Sequence, residues 1–187
     1  NFNPSTPYAI SRSTLDLHLK RYYENFNLPV IFTRTANVYG PGQQIYRIVP
    51  KAFLSARLKK KINLDGRGSS KRSFIYIDDA STATYLVSTR GKIGSTYHIS
   101  TDKIISIRKL VKIISKMTKI KFQRLVNITS DRTGKDVSYN LSSKKIRKEL
   151  NWKPRTNLDD GLTKTLRWID YNSIFLKKEK FHYIHKR

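Results

Sequence analysis

The sequence comprises 187 residues, of which 38% are hydrophobic, and it carries a formal net charge of +25. This length and apolar content suit one folded domain with a sizeable core and argue against a disordered chain. No run of about 18 apolar residues is present, which excludes a membrane-spanning helix, and the absence of cysteine excludes disulfide bonds and thiolate metal sites. We expect a cytoplasmic location. The first residues have neither a signal-peptide layout nor an initiator methionine, which predicts a chain that begins within a longer protein.

Apolar periodicity and turn residues predict helices that alternate with strands along the chain. The predicted helices cover about residues 7–26, 46–60, 78–89, 107–114, 143–150 and 156–171. The predicted strands cover about residues 30–34, 62–65, 73–77, 96–100 and, with weaker alternation, 122–128. This order of elements is typical of an α/β fold.

Side chains that can accept backbone hydrogen bonds mark the predicted helix starts. Ser5 or Thr6 is expected to cap the first helix, Asp78 the third and Ser106 the fourth. The pair Thr156 and Asp159 has capping-box spacing before the last helix. The first helix is predicted to carry one stripe formed by Ser11, Leu15, Leu19, Tyr22 and Phe26.

Tyr8 and Arg12 lie four residues apart on the first predicted helix, so they share one helix face. A neighbouring cation stabilises a phenolate, so this pair could supply a catalytic base. The alternative is that Tyr8 is a half-buried core residue.

Asn37 and the loop Gly40-Pro-Gly42 follow the first predicted strand. In open α/β sheets, ligands bind beyond the carboxyl ends of the strands, which is where these residues would lie. The alternative for Asn37 is a structural role, in which its side chain caps the turn before Gly-Pro.

Four motifs give the chain a family resemblance. They are Tyr8-Ala-Ile-Ser-Arg12, Arg34-Thr-Ala-Asn37-Val-Tyr-Gly40-Pro41, Arg72-Ser-Phe-Ile-Tyr-Ile-Asp-Asp79, and Asp131-Arg-Thr-Gly-Lys-Asp136 followed by Leu150-Asn-Trp-Lys-Pro154. With them the sequence resembles the extended short-chain dehydrogenase/reductase family, and within it the nucleotide-sugar 4,6-dehydratases of the dTDP-glucose type. The resemblance covers nearly all of the chain but only the second half of such an enzyme.

The resemblance implies an α/β fold with the C-terminal part of a Rossmann-type parallel sheet and a small α/β substrate-binding lobe. Residues 1–45 would end the Rossmann part, and residues 46–187 would form mainly the lobe, within a single incomplete domain. The N-terminal cofactor-binding half, with its glycine-rich loop and an acid–base pair, would be absent.

The resemblance also implies a cofactor and a base. Tyr8 would take the proton from the 4-hydroxyl of the sugar while hydride leaves C4 for the nicotinamide of NAD. Arg12 stands where the family has lysine; both are cations, but a planar guanidinium does not replace an ammonium. Val38 would lie near the cofactor.

The remaining implied contacts are with a nucleotide-diphosphate sugar. Asn37, Arg47 and Ile48 would contact this substrate, and Asn63, Leu64 and Asp65 would line the nucleobase pocket. Arg72 would bind the diphosphate, a role that suits a guanidinium fork. Further expected substrate contacts are Ser106, Arg132 and Lys135.

The expected reaction converts a nucleotide-diphosphate hexose to its 4-keto-6-deoxy product. A nucleotide-sugar 4-epimerase of the same family is the alternative enzyme, and a basic module for nucleic acid or an acidic partner is the alternative outside enzymes. Nucleic acid is the less favoured partner, because the cations are spread along the chain in short runs such as Lys59–Lys61 and Lys177–Lys178. No metal site is predicted, since the histidines lack a carboxylate cluster.

We expect the isolated polypeptide to be inactive and poorly stable, because a sheet that lacks its neighbouring strands exposes an edge and an apolar face. A homodimer or a complementing N-terminal half would be its protein partner.

Overall fold

The computed structural model describes residues 6–131, 138–179 and 181. The helices are α1 (Pro7–Phe26), α2 (Ile48–Arg57), α3 (Ile77–Arg90), α4 (Ile107–Met117), α5 (Phe122–Leu125), α6 (Lys144–Leu150), α7 (Leu158–Tyr171) and α8 (Ser173–Leu176). The strands are β1 (Phe32–Thr35), β2 (Asn37–Tyr39), β3 (Ile62–Asp65), β4 (Lys71–Tyr76), β5 (Thr96–Ile99), β6 (Ile104–Ser106), β7 (Val126–Thr129) and β8 (Ser138–Tyr139).

Most strand pairs are parallel. β1 pairs with β5, β2 with β4, and β3 with β7, each in parallel register. β4 also pairs with β8 in parallel and with β6 in antiparallel register. Parallel pairing needs long crossover connections, which the intervening helices supply. The predicted α/β fold class is confirmed.

A bend between β1 and β2 positions the residues that follow. Ala36 separates the two strands, is buried, and donates its amide hydrogen to the Ile99 carbonyl at 2.9 Å. The chain therefore leaves its pairing with β5 and continues as β2 beside β4, with Asn37 opposite Phe74. The single strand predicted at 30–34 is in fact two short strands that begin two residues later.

Two hydrophobic clusters lie on opposite sides of β4. Phe74 and Tyr76 belong to one cluster, which includes buried residues of α2, α4 and α7. Ile75 belongs to the other, which includes Trp152 and buried residues of α3 and β5. This division follows from the two-residue repeat of a strand, since successive side chains point to opposite faces.

The predicted boundaries of α1 are confirmed, but its predicted stripe is not the packed face. Thr6 Oγ1 accepts a hydrogen bond from the Ala9 amide at 3.1 Å, and Asn27 ends the helix in the left-handed conformation. Leu15, Tyr22 and Phe26 of the predicted stripe remain exposed. The packed face contains instead Asp16, which pairs with Arg34 at 2.8 Å, and Tyr23, whose ring lies against Gly94.

Three other local predictions differ from the structure. Asp78 lies in the first turn of α3, where Tyr76 is the N-cap, so it does not cap the helix. The N-cap of α7 is Asn157, which accepts from the Asp160 amide, instead of the predicted pair Thr156 and Asp159. The segment predicted as a strand at 122–128 begins with the short helix α5 and continues as β7.

No helix among the described residues has both the length and the apolar character needed to cross a membrane. Within the same residues, no group of three or more acidic, histidine or cysteine side chains is arranged to hold a metal ion.

Candidate active site

A cleft of about 1420 Å³ opens beyond the end of β2 and along the start of α2. Five of the side chains predicted to act in a site line it: Tyr8, Asn37, Val38, Arg47 and Ile48. They come from three separate elements, namely α1, β2 and the junction with α2. The fold thus brings together residues that are up to 40 positions apart in the sequence.

Tyr8 presents its side chain at the mouth of this cleft. It lies in the first turn of α1, whose start is fixed by the Thr6 cap, and its side chain is 75% exposed. The alternative that Tyr8 is a half-buried core residue is therefore wrong. Arg12 lies one turn further along α1, is also exposed, and does not line the cleft.

A second tyrosine of the cleft, Tyr39, is unsuited to act as a base. Its side chain is buried, and its hydroxyl lies 3.3 Å from the Leu158 carbonyl, to which it donates. Burial, followed by the nearby Tyr76 and Asp79, raises the pKa of Tyr39 far above its ordinary value. Tyr39 therefore stays protonated at neutral pH, and its role is to join β2 to the start of α7.

Asn37 opens β2, and its side chain is exposed within the cleft. Among the residues that the structure describes, the side-chain amide of Asn37 makes no hydrogen bond. The amide is therefore available to a ligand, whereas an Asn that capped the following turn would be occupied.

Gln43 is a cleft residue that the sequence reasoning missed. Its side-chain amide donates to the Val38 carbonyl at 2.7 Å, which ties the Gly40–Gly42 loop back to β2. Its position directly after a Gly-Pro-Gly loop was a usable signal, because a polar side chain there can satisfy the backbone of the turn.

The start of α2 gives the cleft a cationic end. Arg47 is the N-cap of α2 and makes no side-chain capping bond, and Lys51 follows it by one turn along the cleft. Arg47 also stands 5.4 Å from the centroid of the Tyr46 ring. The first amides of a helix carry partial positive charge and point outward, so this end can bind an anion such as a diphosphate.

Arg72 is near the cleft but does not line it. It shares a strand face with Phe74, which does line the cleft, because residues two apart on a strand point to the same side. Arg72 is half-buried, and one of its guanidinium nitrogens donates to the Lys71 carbonyl at 2.8 Å.

The structure does not bring the remaining described candidates to the cleft. Leu64 is a core residue, and Ser106 caps α4 by accepting from the Lys109 amide. Asp65 accepts a hydrogen bond from Thr129 on the neighbouring strand β7, and Asn63 is exposed opposite Asn127. Their predicted contacts with a nucleobase or a substrate stay predictions.

Arg132 and Lys135 lie outside the described residues. The chain after them returns as β8, whose Ser138 pairs with Lys71, next to Arg72. Asp131 directly precedes Arg132, and its carboxylate lies against Gly66. A side chain at position 66 would collide with that carboxylate.

The chain is similar to known proteins in sequence and in fold. A family model, GDP-mannose 4,6 dehydratase, matches residues 1–165. The mouse dTDP-D-glucose 4,6-dehydratase is 32% identical over 174 residues, which cover 90% of this chain and 49% of the relative. The Haemophilus influenzae dTDP-glucose 4,6-dehydratase is 28% identical over 92% of this chain and 54% of its own length.

A solved structure of a dTDP-glucose 4,6-dehydratase also matches this chain. DesIV, the dTDP-glucose 4,6-dehydratase from Streptomyces venezuelae that was solved with NAD bound, superposes with a TM-score of 0.90 at 30% identity. The match covers 94% of this chain and 54% of DesIV. The chain therefore spans about half the length of these relatives, and the epimerase alternative is not favoured by them. By its family model and these relatives, the chain belongs to the GDP-mannose 4,6 dehydratase family.

Proposed function

We propose that this chain supplies the base and the substrate-binding cleft of an NAD-dependent nucleotide-sugar 4,6-dehydratase. The reaction would convert a nucleotide-diphosphate hexose to the 4-keto-6-deoxy product. The observation that carries the proposal is that Tyr8, Asn37 and Arg47 line one cleft. A base can act on a sugar hydroxyl, a neutral polar side chain can hydrogen-bond the sugar, and a cation can bind the diphosphate.

Tyr8 would remove the proton from the sugar 4-hydroxyl. Its exposed side chain in the cleft can reach a ligand, and Arg12 lies one helical turn away. NAD would accept the hydride from C4 and later return it. Asn37 would hold the sugar by hydrogen bonds, which fixes the 4-hydroxyl next to Tyr8.

The residues present fit one end of NAD. Tyr8 and Val38 line the cleft, where a phenol and an apolar side chain suit a nicotinamide ribose. The sequence contains no Gly-x-Gly-x-x-Gly, the motif that lets a backbone approach a dinucleotide pyrophosphate. Among the described residues, no carboxylate lines the cleft to act as acid or base in the loss of water. We infer that a complementing N-terminal half supplies these groups.

The nucleotide diphosphate would lie at the start of α2. The helix amides, Arg47 and Lys51 provide positive charge there, and Arg72 stands on the same strand face as the cleft residue Phe74. A charge-assisted hydrogen bond contributes about 1.5–3 kcal/mol, so loss of one guanidinium should weaken binding by roughly 10- to 150-fold.

Calorimetric titration with dTDP-, UDP- and GDP-hexoses would test the substrate class and identify the nucleobase. We expect Arg47→Gln to weaken binding by about tenfold or more. Lys109→Gln, which removes an exposed cation on α4 away from the cleft, is the matched control and should leave affinity unchanged. NAD alone should not bind the isolated chain with micromolar affinity.

Activity can then be assayed after adding a polypeptide that carries a cofactor-binding half. The 4-keto-6-deoxy product absorbs in alkali and an epimer does not, so the assay separates the two reactions. Tyr8→Phe should abolish product formation while nucleotide-sugar binding is retained. Equal binding by wild type and Arg47→Gln, or full activity of Tyr8→Phe, would contradict the proposal.

A further inference from the structure

Two basic runs that are distant in sequence meet at one end of the molecule. Lys59–Lys61 begins two residues after the end of α2, and Lys177–Lys178 directly follows α8. The link between them is Arg57, the last residue of α2, which donates to both carboxylate oxygens of Asp170 on α7 at 2.6 and 2.7 Å. A second link is Lys60, whose ammonium lies 5.6 Å from the centroid of the Phe181 ring.

Large apolar side chains are exposed on the segment that precedes the second basic run. Tyr171 at the end of α7 is 89% exposed, and Ile174 and Phe175 of α8 are 64% and 72% exposed. We call Tyr171, Ile174 and Phe175 the C-terminal apolar patch. The next residue, Leu176, packs against the core, so the backbone that carries the patch is anchored. Single exposed apolar residues are ordinary, but a contiguous group rimmed by charge marks a binding surface.

The rim of the C-terminal apolar patch is strongly positive. Lys59, Lys60, Lys61, Lys177 and Lys178 are all exposed, and Glu179 is the acidic residue next to them, which leaves a net charge of +4 for these six side chains. Asp170 does not reduce this charge further, because Arg57 already pairs with it.

We propose that this end of the molecule binds the surface of an anionic lipid bilayer. Ile174 and Phe175 would enter the boundary between headgroups and acyl chains, and the lysines would lie at the lipid phosphates. Exposed apolar side chains ringed by lysines are the composition of segments that lie in a membrane interface, and each nearby lysine adds attraction to acidic lipids.

The apolar patch is what favours a bilayer over another polyanion. A nucleic-acid backbone or an acidic protein segment would pair with the lysines, but phosphate contacts require only cations and leave Ile174 and Phe175 in water. A lipid surface satisfies both kinds of side chain at once.

The proposal is tested by sedimentation of the 187-residue chain with lipid vesicles. We expect binding to vesicles of phosphatidylcholine with about 30% phosphatidylserine and little binding to phosphatidylcholine alone. Lys177→Gln with Lys178→Gln should weaken binding by roughly 25-fold, since each lysine near the surface contributes about fivefold. Phe175→Ser should weaken it by about tenfold through lost apolar burial.

Matched substitutions elsewhere serve as controls. Tyr85→Ser on α3 removes another exposed aromatic side chain, and Lys109→Gln with Lys112→Gln on α4 removes two exposed lysines. Both should change vesicle binding by less than about twofold. Equal losses for the control and patch variants would mean attraction by overall charge and would overturn the proposal.

A variant that gains a signal on binding provides a test that misfolding cannot mimic, whereas misfolding could explain the weaker binding of the other variants. Phe175→Trp keeps an apolar ring in the patch, and its fluorescence should shift to shorter wavelength with anionic vesicles and stay unchanged without them. Duplex DNA is the competing ligand. If the chain binds DNA with an affinity that Phe175→Ser does not alter, and anionic vesicles cause no fluorescence shift, the surface is a general polyanion site and the lipid assignment is wrong.

Discussion

The buried carboxylate of Asp79 should be one of the main stabilising groups near the cleft. It lies in the first turn of α3, directly after Asp78 and two residues after Ile77, which lines the cleft. Its two oxygens accept hydrogen bonds from the backbone amides of Arg155 and Thr156, each at 2.9 Å. Asp79 thereby fixes the segment that leads into α7.

The cost of Asp79→Asn follows from this geometry. The amide keeps one accepting oxygen but places an N–H group against the second backbone N–H. One charge-assisted hydrogen bond is lost and a buried donor is left unpaired, which together cost about 2–4 kcal/mol of the free energy of unfolding. The neighbouring Asp78 is exposed, so Asp78→Asn should cost less than about 1 kcal/mol, from its favourable position at a helix N-terminus.

Urea denaturation of both variants, followed by circular dichroism, measures this difference if each shows a single cooperative transition. Asp79→Asn should shift the midpoint well below that of Asp78→Asn. The reasoning is refuted if the two variants unfold at the same urea concentration. The two backbone hydrogen bonds of Asp79 would then add nothing to the free energy of unfolding beyond the effect of a carboxylate charge at the helix N-terminus.

Two further predictions concern packing and pH. Gly161→Ala should destabilise the fold by about 1–3 kcal/mol, because its Cβ would collide with the Tyr39 hydroxyl. Urea denaturation should show a smaller cost in a Tyr39→Phe background. Burial, and then the charges of Arg34 and Lys145, lower the pKa of His98. The unfolded chain therefore binds more protons below about pH 6.5, so stability should fall on acidification, and thermal unfolding of His98→Gln should depend less on pH over that range.

The sequence predicted most of the helices and strands because their start and stop signals are local. Thr6 caps α1 as expected, and Asn27 ends it at the predicted boundary. A hydroxyl that accepts a backbone N–H and a residue that tolerates positive φ both act within a few residues. The packed face of α1 was not predictable in this way. It depends on Arg34, which pairs with Asp16, and on a glycine far along the chain that makes room for Tyr23.

The candidate site likewise contains residues that local motifs predict and residues that only tertiary contacts reveal. Tyr8, Asn37 and Arg47 could be proposed from motifs, because each lies at a helix start or a strand end. Gln43 was missed although it directly follows the Gly-Pro-Gly loop, because only the folded loop shows that its side-chain amide donates to the Val38 carbonyl. The burial that makes Tyr39 unsuitable as a base is likewise tertiary, since α7 provides its hydrogen-bond acceptor.

The cations of the cleft come from one element, which favours one orientation of an anionic ligand. Arg47 and Lys51 stand at the α2 end, whereas the groups on β2 and α1 are the neutral Asn37, Val38 and Tyr8. An anion is attracted to the α2 end by two side chains and by the helix amides together. In the proposed binding mode, a neutral sugar attached to that anion extends toward Asn37 and Tyr8, which line the same cleft. The cations Arg47 and Lys51 at the α2 end therefore support the proposed placement of the diphosphate there, with the sugar toward β2.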